Sequence, residues 1–154
     1  MELYIIRHAQ SENNALQEDQ VLRVKDPDLT PTGCQQADYL ARFLAEAPNL
    51  ENIVRLPAAA PERLEHHNHI FSHVYVSPMR RTLQTAQPMV QALGMRPEVW
   101  VETHEHGGIS LEQNGVVTGY GGMTRAEIEA EFPGYVVPET VTDQGWWKPE
   151  DGLE

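Results

Sequence analysis

The sequence predicts an α/β fold with a mainly parallel sheet, on three observations. Short continuous apolar runs at residues 3–6, 74–76 and 99–101 read as strands buried on both faces. Helical patterns lie between and after them, each opening on a capping or proline signal. The resulting order, strand, helix, strand, helix, strand, is that of parallel strands joined by helical crossovers.

Taken in order, residues 3–6 form the first strand and a polar loop runs from His8 to about Asp28. Thr30 is then placed as an N-cap, with Pro31 at the first helical position. Ala37, Leu40, Ala41 and Leu44 recur at helical spacing as a stripe for the sheet, with Cys34 as a small packing residue. Gly33, in the first turn, allows something to approach closely. A long connection at about 48–72 precedes the second strand, 74–76. Ser77 and Pro78 repeat the cap-plus-proline signal for a helix that ends near Leu93, stopped by Gly94. The third strand is 99–101. Thr124 and Glu127 then make a capping box for a short helix closed by Pro133 and Gly134. Parallel sheets bind ligands beyond the carboxyl ends of their strands. Arg7 and His8, Ser77 to Arg81, and Glu102 to Gly108 therefore fall along one edge.

Composition narrows the function. A chain of 154 residues is one domain in length. Its formal net charge of −12 argues against nucleic acid and acidic membranes as partners, and makes local arginines informative. No apolar run has the length of a membrane span. A single cysteine excludes an internal disulfide framework and fits a reducing cytoplasm.

The run Arg7-His8-Ala9-Gln10-Ser11-Glu12-Asn13-Asn14 resembles the signature of the histidine phosphatase (phosphoglycerate mutase-like) superfamily, in which a strand leads into Arg-His-Gly and a later Asn. Ala9 stands where the family has Gly and leaves Arg7, His8 and Asn14 in register. The run Leu29-Thr30-Pro31-Thr32-Gly33 is similar to the family's Leu-Thr-x-x-Gly. The helix Ser77-Pro78-Met79-Arg80-Arg81-Thr82-Leu83-Gln84-Thr85-Ala86 is similar to its Ser-Pro-x-x-Arg-x-x-Gln-Thr-Ala. Three segments in the family's order, each in its expected setting, are a specific signal.

The resemblance implies a three-layer α/β/α, phosphoglycerate mutase-like fold. It also implies a metal-independent phosphoric monoester hydrolase that needs no cofactor and acts on a small phosphorylated substrate through a phosphohistidine on His8. The residue types suit that chemistry. A neutral imidazole is a nucleophile at ordinary pH, and a covalent intermediate divides one hard step into two easier ones. Phosphoryl transfer otherwise needs positioning and charge on the equatorial oxygens. Arg7 and Arg81 are implied to supply planar multi-donor forks, Asn14 an uncharged donor, and the helix start at Pro78 a favourable dipole end. Arg80 faces about 100° away around the helix and reads as a solvated neighbour.

For the general acid two registers fit, Glu102 and Glu105. Glu105 is preferred because it lies further beyond the strand end, in the pattern His104-Glu105-His106-Gly107-Gly108. Neither register reproduces the family's glycine four residues on. The family's second active-site histidine, in a His-Gly step after a later strand, has no counterpart beyond Gly134; His106-Gly107 is the one alternative. The expectation is therefore a single domain over residues 1–154 that is incomplete at its C-terminal end. His66, His67, His69 and His73 lack the spacing of a metal site and read as a solvated loop, and Trp146 and Trp147 as tail packing. Hydrolysis is favoured over a mutase that returns the phosphoryl group. A phospho-ligand-binding module without turnover is the reading from a different class.

Overall fold

A computed structural model describes residues 3–16, 22–46 and 71–148. Its centre is a strand–helix–strand unit. Strands β1 (Tyr75–Val76) and β2 (Glu98–Val99) pair in parallel, Tyr75 opposite Glu98 and Val76 opposite Val99. Helix α3 (Arg80–Leu93) makes the crossover and buries Leu83, Ala86, Met89, Val90 and Leu93. Gly94 closes it in the left-handed conformation (φ 63°), the stop expected of that glycine. On the far side of β2, Val99 N–H donates to the Val136 carbonyl and Val136 N–H to that of Pro97, both at 2.9 Å. Val136 thus extends the sheet.

Helix α2 (Pro31–Glu46) packs on α3 and buries Gly33, Ala37, Ala41 and Leu44. Thr30 caps it as the sequence predicts, its hydroxyl accepting from Gly33 N–H at 3.0 Å. Helix α4 (Arg125–Glu131) carries the predicted Thr124–Glu127 capping box and seals the core with Ile128.

Several local expectations are corrected. Residues 3–6 form no strand in the described structure, and Leu3 and Ile5 are 74% and 87% exposed. A strand exists only as a rung of a ladder, and β1 finds its described neighbour in β2. The apolar run instead lines an open cavity of about 270 Å³ with Leu40, Phe43, Leu44 and Phe71. The third strand ends early, because Val101–Thr103 winds into a 3-10 turn. Cys34 is exposed, since its position falls about 100° around the helix from Gly33 and off the buried stripe. Ser77 does not cap α3. Met79 occupies the N-cap position, and the Asp26 carboxylate takes the Arg80 N–H at 3.1 Å.

Two elements go beyond the sequence reading, one inside the polar loop and one in a stretch it left unassigned. Helix α1 (Glu12–Ala15) opens on a capping box between Ser11 and Asn14. Strands β3 (Ser110–Gln113) and β4 (Val116–Gly119) form an antiparallel hairpin. Its two-residue turn places Asn114 and Gly115 at φ 53° and 78°.

Gly33 explains how the first loop seats on α2. A Cβ there would lie 2.1 Å from the Gln10 carbonyl oxygen, so only glycine admits the contact. Gly33→Ala should therefore destabilise the protein by about 2 kcal/mol or more, since backbone has to move. Urea denaturation checks this, and an unchanged midpoint would show that the loop retreats freely.

Candidate active site

The loop from His8 to Ser11 is stapled at successive backbone groups. Ala9 N–H donates to the Thr85 hydroxyl of α3 at 3.1 Å, and Gln10 N–H to Oε1 of Gln36 on α2 at 2.9 Å. The Gln10 carbonyl accepts from Thr30 N–H at 3.0 Å. The loop is thereby wedged between the first halves of two helices, with His8 at its head.

His8 is half-buried, and its Nδ1 bonds the Ala9 carbonyl at 2.7 Å. A carbonyl only accepts, so Nδ1 carries the proton and, in the neutral ring, Nε2 holds the lone pair. Burial pushes the imidazole below its ordinary value of 6.5, and the nearby Arg81 and Arg7 charges add to that. The Ala9 carbonyl and Glu105 oppose it. The net direction keeps His8 uncharged, as a nucleophile requires.

Arg81, buried on the first turn of α3, reaches Glu105 with Nη2 at 2.5 Å from Oε2. Arg7 is exposed and, among the described residues, has no carboxylate partner. The structure therefore brings His8, Arg7, Arg81 and Glu105 into one electrostatic neighbourhood. Asn14 stands apart. Its Oδ1 accepts from Ser11 N–H and Oγ at 3.2 and 2.9 Å, and no hydrogen bond joins it to His8, Arg7 or Arg81 among the described residues. Glu102 sits exposed in the 3-10 turn.

Glu105 is held from behind by its neighbours. His104 Nδ1 bonds the Val101 carbonyl at 2.6 Å, and its ring lies 5.3 and 4.9 Å from those of Trp146 and Trp147. Gly108 and Gly122 fit directly against the two indoles, where any Cβ would collide. The tail-packing expectation for Trp146 and Trp147 thus gains a purpose. Of the histidine-rich connection, His66, His67 and His69 lie outside the described residues, and His73 stacks on Tyr75.

Sequence reasoning missed Arg80. Far from being solvated, its Nε meets Asp28 and its Nη2 meets Glu131, each at 2.5 Å. Asp26, half-buried beside it, is pushed up by loss of solvent against the pull of the Arg80 N–H and the Arg81 charge. The signal was present in the acidic Asp26 and Asp28, which only the fold brings to the helix start.

A family model described as histidine phosphatase superfamily, branch 1, matches residues 3–54 and 57–152. Among solved structures, an ecdysone phosphate phosphatase from Bombix mori in complex with tungstate is similar at 18% identity and a TM-score of 0.51, over 96% of this chain and 57% of that one. A mycobacterial glucosyl-3-phosphoglycerate phosphatase in complex with VO3 is similar at 20% identity and a TM-score of 0.42, over 83% and 47%. The chain thus spans about half the length of the structures it matches. No curated protein matches it. Among the described residues no helix is long and apolar enough to cross a membrane.

His8 should titrate below 6.5 by NMR, with Nδ1 protonated in the neutral ring. Stability follows with a definite sign. As pH falls through 6.5 the unfolded chain takes up a proton that folded His8 still refuses, so stability declines from there to the folded midpoint. A titration midpoint above 6.5 would reverse both expectations.

Proposed function

The chain belongs to the histidine phosphatase superfamily, and from that premise we propose that it hydrolyses a small phosphoric monoester through a phosphohistidine on His8. The observation that carries the reading is the His8 ring. Its Nδ1–H is committed to the Ala9 carbonyl, its Nε2 is left as nucleophile, and two arginines and a carboxylate lie around it. Residues 1–154 are read as belonging to one catalytic domain.

In the proposed reaction Nε2 attacks phosphorus and the P–O ester bond breaks. Glu105, which enters this step as the carboxylic acid after taking a proton from solvent, gives that proton to the departing oxygen, so the leaving group departs as an alcohol. Water then attacks the phosphohistidine. Glu105, now a carboxylate, takes the proton of that water, and the P–N bond breaks to restore neutral His8. Arg7 and Arg81 act on the equatorial oxygens throughout, where donors fixed in advance contribute most. Arg81 has five N–H donors. Glu105 engages only Nη2, which leaves the others for phosphate. Asn14 enters as a further phosphate donor through its amide nitrogen, since its Oδ1 is engaged at the α1 cap. No metal takes part in the scheme.

A phosphohistidine is acid-labile and base-stable, which separates turnover from mere binding of a phosphorylated ligand. His8→Ala should abolish hydrolysis of p-nitrophenyl phosphate, and with it any acid-labile, base-stable phosphate trapped on the protein, while leaving the fold nearly intact. Arg81→Ala should lower kcat by about 10²–10³, as expected when one preorganised donor is lost. Hydrolysis at the parent rate by the His8 variant would overturn the nucleophile assignment.

A further inference from the structure

We propose that Thr85 is a positioning residue whose hydroxyl fixes the nucleophile's loop to the turn of α3 that carries the phosphate-binding arginine. It accepts from Ala9 N–H at 3.1 Å and donates to the Arg81 carbonyl at 2.6 Å. The inference rests on the reading of His8 and Arg81 given above and assigns a task to a motif residue that the reaction scheme leaves unused.

A threonine inside a helix commonly donates back to the carbonyl one turn earlier, and that bond alone would satisfy its proton. Here the same oxygen also accepts a backbone donor from a loop far away in sequence. Thr85 is 5% exposed, so neither bond is readily replaced by bulk water. Its neighbour Gln84 has a matching task on the adjoining loop. It accepts from Leu29 N–H at 2.8 Å and donates to Asp28 at 2.7 Å. The two loops in turn meet each other, Glu12 N–H donating to the Asp28 carbonyl at 2.9 Å. Successive side chains of α3 thus hold the two loops that meet above it.

The arrangement matters because attack at phosphorus depends on the separation and angle between Nε2 and a phosphate bound at Arg81. One oxygen atom sets the spacing of the two backbones that carry them. A displacement of a single ångström at that junction is enough to cost much of the rate while leaving the groups themselves intact.

The test compares Thr85→Val, which keeps the shape and loses the hydroxyl, with Thr85→Ser, which keeps the hydroxyl. Thr85→Val should lower kcat for p-nitrophenyl phosphate by about tenfold with KM nearly unchanged, and Thr85→Ser should restore most of it. A second readout needs no turnover. The ring ¹⁵N shifts of His8 should report Nδ1–H in the parent and in Thr85→Ser, and a mixture of tautomers in Thr85→Val. If Thr85→Val loses its cooperative unfolding transition, Thr85→Ala is measured the same way and should show the same mixture. Unchanged kcat and unchanged His8 ring shifts in the folded hydroxyl-free variant would overturn the proposal. An equal loss in Thr85→Ser would do so as well, by assigning the effect to packing of the methyl group. Failure of the nucleophile reading shows up separately, as hydrolysis retained by His8→Ala.

Discussion

Backbone groups in a polar loop need partners, and the loop from His8 to Ser11 finds them on two helices at once. Thr85 takes the Ala9 N–H, Gln36 the Gln10 N–H, and Thr30 N–H reaches the Gln10 carbonyl. Gly33 lets that carbonyl sit where a methyl group would otherwise stand. The rest of the arrangement depends on this seat. It fixes the distance between α2 and α3 at their N-terminal ends, and with it the position of His8 relative to Arg81. Because these bonds are made by backbone atoms, the His8 ring is held through its own loop, with Nδ1 engaged by the Ala9 carbonyl.

Adjacent arginines on α3 show how helical geometry divides labour. A rotation of about 100° per residue sends Arg81 inward toward Glu105 and Arg80 sideways to Asp28 and Glu131. Arg80's two carboxylates neutralise it and tie the helix start to α4 and to the loop before α2. The acidic balance of the chain is therefore partly structural, since two of its carboxylates hold the cation at the start of α3. Asp26 adds to this by holding the first free N–H of α3, at the cost of a carboxyl pushed up by burial.

How much could be read in advance depended on how local each signal was. The Thr30 cap, the Gly94 stop and the Thr124–Glu127 box are settled within one turn of chain, and each stands where the sequence places it. Ser77 and Pro78 looked equally local, yet a carboxylate from a distant loop outcompeted the serine for the helix start. The run at residues 3–6 has the composition of a buried strand, but pairing is decided by what lies alongside and not by composition. Asn114 and Gly115 carry a strong local hairpin signal that stands outside the strand–helix–strand pattern. The motif spacing singled out His8, Arg7 and Arg81, which the fold brings near one another. Glu105, and not Glu102, is the carboxylate that Arg81 meets, a fact of tertiary structure. The tasks of Gln84 and Thr85 were illegible because their partners lie on other loops.

The packing of His104 against Trp146 and Trp147 also bears on the order in which the protein can be assembled. Ribosomal synthesis delivers the chain from its first residue onward. The His8 loop, α2 and α3 are all available for docking before either tryptophan has left the tunnel. The segment bearing Glu105 gains its clamp only afterwards. A nascent chain would pass through a stage with His8, Arg7 and Arg81 already placed and the segment that carries Glu105 still without its indole support.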